Sequence, residues 1–287
     1  MRLSQLYKSN NIDISVELFP PKTELGIQEL FREVERLSSR NVAFFSMTYG
    51  AAGTTKNLTL NLADQLKNRL AVETMCHLTV VGQSKSEVRE ALQFLRTRGI
   101  YNIIALRGDP PPGERFFTPH SNGFHYAVDL VREAKNENYF SIAVAGFPEM
   151  HPDSKTRKSD IEYLKRKVDA GADAIITQLF FDNRFYYEYV DSVRKAGIRI
   201  PVIPGILPIL SASQVKRFTA LCKSKIPNDV SRELEKCGDD LEQATLYGID
   251  LATKQCQDLI KNGVKGLHFY CLNKSRSVRA VLSNLGY

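Results

Sequence analysis

Eight short apolar runs recur along this sequence, and a charged, helix-like stretch separates most of them. The resulting spacing of about thirty residues is the length of a strand–helix–strand unit with parallel strands. The runs show little alternation of polar and apolar residues, as expected for strands that are covered on both faces. They are Ile12–Phe19, Val42–Tyr49, Val72–Leu78, Ile100–Leu106, Phe140–Gly146, Ala172–Phe180, Ile200–Ile206 and Val264–Tyr270. Eight such units predict an α/β fold, a closed (β/α)8 TIM barrel.

Several stretches between the runs have the apolar periodicity or the capping residues of α-helices. They are Thr23–Arg40, Ser84–Arg98, Lys155–Ala170, Asp182–Gly197, Ser211–Lys223, Leu241–Asn262 and Ser275–Leu285. For the helix at Lys155–Ala170 we expect Asp153 or Ser154 as the N-cap.

Two segments interrupt the regular spacing. Pro110–Asn122 reads as a long loop on the face where the active site is expected, because it follows the fourth predicted strand. Ser224–Asp240 reads as a polar insertion before the last crossover, and both packing and an oligomer surface remain open for it. We expect the chain to form a homo-oligomer.

The size and composition indicate one domain, residues 1–287. A barrel of this kind uses about 250 residues, and the sequence shows no linker and no composition shift. The five scattered cysteines form no CxxC pair, which argues against a disulfide framework and a zinc site. The sequence starts without the apolar core of a signal peptide, and no run approaches the roughly 20 apolar residues of a membrane span. We therefore expect a cytoplasmic protein with no membrane partner.

The chain carries a formal net charge of +7. Nucleic-acid binders concentrate such charge on one face. In this sequence lysine and arginine alternate with aspartate and glutamate, which favours a solvated basic surface and no nucleic-acid partner. A milder alternative is that the positive potential gathers anionic small molecules, such as dinucleotides or carboxylates.

Candidate acid–base residues stand at the ends of two runs, where barrel active sites lie. Glu17 is surrounded by apolar residues; a carboxyl that loses hydration holds a proton more readily, so Glu17 is a candidate general acid. The alternative is a structural glutamate bonded to a lysine or arginine. Arg107, Gly108 and Asp109 close the fourth run. Gly108 lets the backbone approach a ligand closely, Arg107 offers hydrogen-bond donors and Asp109 offers acceptors. The alternative is an internal salt bridge between Arg107 and Asp109.

The other run ends carry residues suited to ligand binding. Thr48 and Tyr49 precede a glycine-rich turn that matches neither the dinucleotide-binding nor the P-loop motif, so any nucleotide is held in another way. His77 is either a ligand contact or a satisfied core histidine. His151 reads as a loop residue facing a ligand, and Gln178 as an amide suited to a heterocycle edge.

Two further observations bear on phosphate and metal binding. Arg166 and Lys167 could bind phosphate, although basic residues in a last helical turn mainly complement the helix dipole. The histidines and acids are too dispersed for a specific metal site, and we expect no metal. These patterns alone predict a barrel enzyme and do not name its reaction.

Seven strings, matching in order and spacing over essentially the whole chain, resemble the bacterial-type methylenetetrahydrofolate reductase family. They are VELFPPK at 16–22, MTYGAAG at 47–53, ALRGDPP at 105–111, PEMHP at 148–152, LKRKVDAGADAIITQLFFD at 164–182, PVIPGILP at 201–208 and GLHFYCLN at 266–273. Seven linked motifs are far more specific than any one of them. The resemblance covers the catalytic barrel only, so we expect no adenosylmethionine-regulated extension.

The resemblance implies a flavin-bearing barrel that reduces 5,10-methylenetetrahydrofolate to 5-methyltetrahydrofolate. NADH or NADPH gives a hydride to FAD and departs, and the folate takes the hydride at the same face. Glu17 matches the family's general acid, which protonates N10 of the folate as its five-membered ring opens to an iminium. Asp109 matches the carboxylate that bonds the pterin and supports the cationic iminium.

The remaining contacts are likewise carried over by resemblance. The substrate contacts are Asp109, Gln178, Gln214, Phe218 and Lys274, and the nicotinamide contact is Thr48. The flavin contacts are Tyr49, Ala51, His77, Arg107, Gly108, Asp109, Ala127, His151, Asp160, Arg166 and Lys167.

Three residues depart from the family pattern and bear on the affinities for FAD and folate. Phe147 stands where tyrosine is usual, Tyr163 where asparagine is usual, and Lys274 where arginine is usual, so Lys274 lacks the bidentate fork. Two alternatives keep the same binding sites. In the first, a protein donor replaces NAD(P)H, and in the second the chain is a flavin- or folate-binding subunit without turnover.

Overall fold

The eight predicted strands form a closed barrel. The computed structural model describes residues 1–8, 11–49, 56–110, 113–114 and 117–287. The strands are β1 (Asp13–Leu18), β2 (Val42–Met47), β3 (Thr74–Thr79), β4 (Asn102–Leu106), β5 (Ser141–Gly146), β6 (Ala174–Leu179), β7 (Val202–Ile206) and β8 (Gly266–Tyr270). Each strand pairs in parallel with the next, and β8 pairs with β1, so the predicted (β/α)8 barrel is confirmed.

Helices surround the barrel. They are α1 (Glu24–Ser38), α2 (Lys56–Asn68), α3 (Lys85–Thr97), α4 (Ala127–Asn136), α5 (Arg157–Asp169), α6 (Asn183–Lys195), α7 (Ala212–Cys222), α8 (Asn228–Cys237), α9 (Leu241–Lys261) and α10 (Ser275–Asn284), and a short 3-10 helix at Leu3–Gln5 precedes β1. In the part of the chain that is described, no helix combines the length and the apolarity that crossing a bilayer requires.

The interpretation of Ser224–Asp240 as a polar insertion was incomplete, because this segment contains α8. Val230, Leu234 and Cys237 recur on one face of α8, and all three are buried. The exposed face supplies the polar residues that dominate the composition of the segment. An amphipathic helix of ten residues therefore covers the barrel here.

The predicted N-cap of α5 was wrong. Thr156 caps this helix, and its side chain accepts a hydrogen bond from Ser159 N. Asp153 instead forms an ion pair with Arg107, and Ser154 donates a hydrogen bond to Asp160. Both side chains are thus engaged in the loop that leads from β5 to α5.

Apolar side chains fill the lower part of the barrel interior. Phe44, Met75, Ile104 and Ile203 form one buried cluster with Leu3 and other residues of the amino-terminal segment. A larger cluster lies between the strands and the surrounding helices. We call the end of the barrel at the strand carboxyl termini the top and the opposite end the bottom.

The first residues of the chain close the bottom of the barrel. The Asn102 side chain accepts a hydrogen bond from Leu3 N at 2.8 Å and donates one to Met1 O at 2.9 Å. Tyr7 N donates to the Asp13 carboxylate at 2.6 Å. These bonds hold residues 1–7 against the strands, so they close the barrel interior at its bottom.

The described residues of the long loop after β4 lie at the top, as predicted. Residues 111–112 and 115–116 lie outside the described part of the chain. Beyond them, Gly123 forms a β-bridge with Ser84, and Lys85 N donates to Asn122 O at 2.9 Å. The far end of the loop is therefore fastened to the start of α3.

Candidate active site

The barrel interior changes from apolar to polar near the top. Alternate residues of a strand point to the same side, so Met75 in the apolar cluster is followed inside the barrel by His77. On β1 and β8 the corresponding residues are Ser15, Glu17 and His268, and all three are buried. The polar interior brings together a carboxyl, two imidazoles and a hydroxyl.

Glu17 lies at the centre of this polar interior. Its side chain is enclosed, since the residue is only 8% exposed. Its Oε2 atom lies 3.4 Å from His77 Nε2 and 3.5 Å from His268 Nε2. Among the described residues no lysine or arginine forms an ion pair with Glu17, which argues against the purely structural alternative.

The two histidines next to Glu17 differ in their surroundings. Burial lowers the pKa of His77 to about 4, with the Glu17 charge opposing the shift and His268 adding to it, so His77 is neutral at pH 7. His268 is 1% exposed, and its Nδ1 lies 2.8 Å from Ser15 Oγ, which orients the ring. Neither Nε2 atom has a hydrogen-bond partner among the described residues.

The structure adds His268 and Ser15 to the predicted site. The sequence marks His268 as a strand-end residue but assigns it no role. Its position opposite Ser15 follows from the pairing of β1 with β8, strands that are more than 240 residues apart in the chain. Alternation along β8 was the available signal, because it places His268 and Tyr270 on the same side of the sheet.

The end of β4 carries Arg107, Gly108 and Asp109. Arg107 pairs with Asp153 at 2.9 Å and not with Asp109, so the internal salt bridge offered as an alternative does not form. Asp109 is exposed, and it forms no ion pair with the described residues. Gly108 has a positive φ of +89°, and a Cβ atom there would overlap the Val81 side chain. Glycine is therefore needed for this turn.

His151 lies in the loop after β5, beside the Arg107–Asp153 pair. Its Nδ1 accepts a hydrogen bond from Asp153 N at 3.0 Å, and its ring packs edge-on against Phe147 at 4.5 Å. Burial lowers the pKa of His151, and the Arg107 charge adds to this effect. The imidazole is thus held in place by its own loop.

Asp160 and Lys167 lie on α5 next to this loop. Asp160 accepts a hydrogen bond from Ser154, and burial raises the pKa of its carboxyl. Lys167 Nζ donates to Ala145 O at 2.8 Å, and burial lowers the pKa of its amine to about 8. Arg166 is exposed, and its guanidinium lies 5.2 Å from the Tyr163 ring centroid. This sector offers several cationic donors to an anion.

Two amides follow here: Gln178 lies near the end of β6, and Gln214 lies in the first turn of α7. Gln178 Oε1 accepts from Leu179 N at 2.9 Å, and Gln214 Oε1 accepts from Leu210 N at 2.7 Å. Gln214 Nε2 is buried and has no partner among the described residues. Phe218 follows Gln214 by one turn of α7 and is half-buried, so the two side chains share one helix face.

Of the other predicted site residues, Thr48 and Tyr49 lie at the end of β2. Both are buried; Thr48 O accepts from Thr59 Oγ1 at 3.0 Å, and the Tyr49 hydroxyl donates to Gln83 Oε1 at 3.3 Å. Ala127 is the first residue of α4, and Lys274 precedes α10 with its side chain exposed. Ala51 lies outside the described residues.

Cys222 is a further residue near the site that sequence reasoning missed. It ends α7, and burial raises the pKa of its thiol to about 11, with the charges of Asp109 and Glu17 adding to the rise. The thiol is therefore close enough to sense both carboxylates. An isolated cysteine in a helix carries no motif that would reveal this.

The chain matches known proteins over nearly its whole length. The methylenetetrahydrofolate reductase family model matches residues 2–286. Methylenetetrahydrofolate reductase (NADH) 1 of Zea mays is 42% identical over 95% of this chain and 48% of its own length. The 5,10-methylenetetrahydrofolate reductase of Escherichia coli K12 is 38% identical over 96% of this chain and 91% of its own length. The chain thus spans about half the length of its plant relative.

A solved structure supports the fold. A protein from Clostridium thermocellum, described as binding two copies of 5-methyl-5,6,7,8-tetrahydrofolic acid, superposes with a TM-score of 0.67. The match covers 96% of this chain and 93% of the other, at 14% sequence identity. At this identity the likeness concerns the barrel architecture alone.

Proposed function

The chain belongs to the methylenetetrahydrofolate reductase family, and from this membership we propose that it reduces 5,10-methylenetetrahydrofolate to 5-methyltetrahydrofolate with NADH or NADPH. The observation that carries the proposal is the enclosed Glu17 carboxyl between His77 and His268. A reductase that opens an aminal ring needs such an acid, because N10 must gain a proton as its bond to carbon breaks.

FAD is the cofactor that the family implies, and the residues present fit it. Arg107, Arg166 and Lys167 offer cationic donors in one sector, beside β4, β5 and α5. The amine of Lys167 is partly desolvated, so its positive charge is stabilised when an anion such as a diphosphate binds near it. When bound, FAD would accept a hydride from the nicotinamide and pass it to the folate.

Glu17 would donate its proton to N10 of the folate. Its carboxyl is shielded from bulk water, and the described residues place no fixed cation against it. Ser15 orients His268 through a 2.8 Å contact, and His268 in turn limits the positions open to the Glu17 carboxyl. The acid is therefore positioned before the substrate arrives, which lowers the reorganisation needed during proton transfer.

Asp109 would stabilise the cationic iminium that ring opening creates. Its carboxylate lies exposed at the end of β4, free of an ion pair with described residues, and can accept hydrogen bonds from a pterin. A negative charge placed where positive charge develops favours that state electrostatically. Gln178 and Gln214 would bond the folate, with Phe218 stacking on it and Thr48 contacting the nicotinamide.

The test is a pair of half-reactions on the purified, folded protein supplied with FAD. We expect FAD to bind and colour the protein yellow. Anaerobic NADH or NADPH should bleach this colour, and methylenetetrahydrofolate should restore it. A folded protein that takes up no FAD would overturn the proposal.

The same experiment separates the two alternatives. If a chemical reductant bleaches the flavin but neither nicotinamide does, a protein electron donor is indicated. If reduced flavin is not reoxidised by the folate, the chain is a binding subunit without turnover. One domain over residues 1–287, a cytoplasmic location and a homo-oligomeric state stay predictions of the sequence.

A further inference from the structure

Helix α7 carries two of the proposed folate contacts, Gln214 and Phe218. Of its eleven residues, all within the described part of the chain, only Val215 and Thr219 are buried. A helix with so few buried side chains gains little stability from packing. Its position therefore depends on the bonds that fasten its two ends.

The last turn of α7 lies near the groups proposed to carry out the reaction. The thiol of Cys222 in this turn is close enough to sense the charges of Asp109 and Glu17. A small movement of the helix would shift Gln214 and Phe218 relative to the proposed acid. The bonds that hold α7 therefore bear directly on how the substrate is bound.

The two ends of α7 are fastened in different ways. At its start, Ser211 Oγ accepts a hydrogen bond from Gln214 N at 3.1 Å, and Gln214 Oε1 accepts one from Leu210 N at 2.7 Å. These bonds are local and do not tie the helix to another element. At its end, Lys223 has a positive φ of +55°, so the chain turns away from the helix axis. The residues that follow Lys223 are bound to other parts of the barrel.

Two bonds tie the segment after α7 to neighbouring strand ends. Ser224 Oγ donates a hydrogen bond at 3.0 Å to the carbonyl oxygen of Leu179, the last residue of β6. Lys225 N donates to both carboxylate oxygens of Glu149, which lie 3.0 and 3.2 Å away. Glu149 belongs to the loop between β5 and α5, 76 residues earlier in the chain. Its carboxylate thus joins α7 to the loop that contains His151.

The loop that carries Glu149 is held in place by its own bonds. Met150 N donates to Phe147 O at 3.0 Å, which closes a tight turn. The Arg157 side chain donates to Phe147 O at 2.7 Å and also to Pro148 O. Glu149 is half-buried, and burial raises the pKa of its carboxyl, while the backbone hydrogen bond that it accepts opposes this rise. Glu149 is therefore a fixed and partly desolvated acceptor, and hydrogen bonds to a carboxylate are stronger than those between neutral groups.

We propose that Glu149 is a positioning residue for folate binding: it holds Lys225 and thereby keeps α7 where the folate meets this helix. Gln214 and Phe218 then need no rearrangement when the substrate arrives. This proposal rests on the proposed function, because only that function assigns a folate to α7. Loss of the Glu149 contact should weaken folate binding, since part of the binding free energy is then spent on ordering the helix.

The test is a pair of substitutions that separates the contact from the charge. Glu149→Asp keeps the charge, but its shorter side chain cannot reach Lys225 N. Glu149→Gln loses the charge but keeps an acceptor oxygen at the same reach. Calorimetric titration of the flavin-loaded protein with 5-methyltetrahydrofolate measures the effect. We expect the dissociation constant to rise about three- to tenfold in Glu149→Asp and to stay within about twofold of the unchanged protein in Glu149→Gln.

Hydrogen–deuterium exchange provides a second readout, which a general loss of stability would not reproduce. In Glu149→Asp the amides of α7 should exchange at least about threefold faster, while those of α5 keep their rates. The dissociation constant for FAD should change by less than about twofold, because the bonds from Arg157 to Phe147 and Pro148 do not involve the substituted side chain. Glu149→Gln should resemble the unchanged protein in both measurements.

Lys225→Ala is the matched control. It removes the ammonium group, which lies 5.6 Å from the Phe185 ring centroid, but keeps the backbone N–H that Glu149 accepts from. This variant should leave the folate affinity and the exchange of α7 unchanged. The proposal would be overturned by an unchanged folate affinity in Glu149→Asp, or by equal losses in Glu149→Asp and Glu149→Gln. A loss in Lys225→Ala as large as that in Glu149→Asp would also overturn it, because the side-chain charge would then be responsible.

The exchange measurement separates this proposal from the proposed function. If 5-methyltetrahydrofolate does not bind the unchanged protein, the folate function fails, and the exchange of α7 then decides on Glu149. Faster exchange confined to α7 in Glu149→Asp, but not in Glu149→Gln, would support the role of Glu149 in holding this helix. Exchange of α7 at the same rate in the two variants would refute that role.

Discussion

The buried polar groups at the two ends of this barrel differ in their hydrogen bonding. At the bottom, Asn102 bonds both Leu3 and Met1, and Asp13 accepts from Tyr7. At the top, the Nε2 atoms of His77 and His268 are buried without hydrogen-bond partners among the described residues. The hydrogen bonds of Asn102 and Asp13 at the bottom thus contrast with the two unpaired imidazole nitrogens at the top, although the buried Tyr7 hydroxyl at the bottom also lacks a partner among the described residues.

From this contrast we infer that the polar groups at the bottom serve mainly stability and those at the top serve mainly function. A buried polar group with a hydrogen-bond partner stabilises the fold. A buried polar group without a partner lowers the free energy of unfolding, and proteins retain such a group where a ligand supplies the missing partner. We therefore expect substitutions at the bottom to reduce the free energy of unfolding. Substitutions at the top should alter binding, catalysis or the response to pH.

The largest expected effect is that of Glu17→Gln. Glutamine cannot donate the proton that N10 needs, so flavin reoxidation by methylenetetrahydrofolate should slow by about 10²- to 10⁴-fold. Flavin reduction by the nicotinamide should remain close to normal, and stopped-flow absorbance measures both half-reactions. The matched control is Glu73→Gln at the bottom, which removes a carboxylate bonded to Lys67 and should leave both rates intact. Equal slowing of both half-reactions would refute the role of Glu17 as the acid.

Asn102→Ala should instead reduce the stability of the protein and leave catalysis unchanged. It removes the side chain that bonds Leu3 N and Met1 O, and we expect a loss of about 2–3 kcal/mol in the free energy of unfolding. Urea denaturation measures this loss, while the rate per folded molecule should be unchanged. Asn68→Ala is the control, because Asn68 bonds at the exposed surface and should cost about 0.5 kcal/mol or less. A stable Asn102→Ala protein with impaired turnover would contradict the division between the two ends.

His77 should make the protein sensitive to acid. The pKa of His77 is about 4 in the folded protein, whereas an imidazole exposed in the unfolded chain has a pKa of 6.5. Between these two pH values the unfolded chain therefore binds a proton that the folded protein does not. Stability is therefore unaffected by this group above pH 6.5 and falls as the pH drops toward 4. We expect His77 to account for about 2 kcal/mol of the loss between pH 7 and pH 5.

Urea denaturation of His77→Gln at both pH values checks this expectation, because the variant should lose that part of the pH dependence. His125→Gln is the control, since His125 is exposed on the surface. If the two variants show the same difference between pH 7 and pH 5, burial of His77 does not cause the acid sensitivity.

The smallest expected effect concerns Lys167 and flavin binding. Its amine has a pKa of about 8 in the free protein and must be protonated to attract a diphosphate. The dissociation constant for FAD should therefore rise by about three- to eightfold between pH 7.5 and pH 9. Lys167→Met should abolish this dependence, whereas Lys165→Met, on the exposed side of α5, should retain it. Flavin fluorescence titration measures the constants, and an unchanged pH dependence in Lys167→Met would exclude this amine.

Local pattern was enough to predict the strands but not all of the helices. Buried parallel strands leave continuous apolar runs, and each of the eight runs contains most of a strand. Helix α8 was missed because its buried face consists of only Val230, Leu234 and Cys237 within a polar segment. The N-cap of α5 was misplaced because Asp153 and Ser154 have the right chemistry but are engaged by Arg107 and Asp160.

The site was predictable in location and less so in its contacts. Strand ends placed Glu17, Arg107 and His151 at the top. The contacts among them depend on barrel closure, which brings β8 beside β1 and thus His268 beside Glu17. A salt bridge between Arg107 and Asp109 was the alternative left open for this strand end, whereas Arg107 pairs with Asp153 in the loop after β5. Such long-range pairings leave no trace in local sequence.

The closed bottom of the barrel also has a consequence for how the chain reaches its folded state. Leu3, Leu6 and Tyr7 belong to a cluster whose members extend to Ile203 on β7. Contacts across so long a stretch of chain form slowly, because a large loop must close before they are gained. During synthesis, Leu3, Leu6 and Tyr7 therefore wait for some two hundred later residues before they reach their final positions.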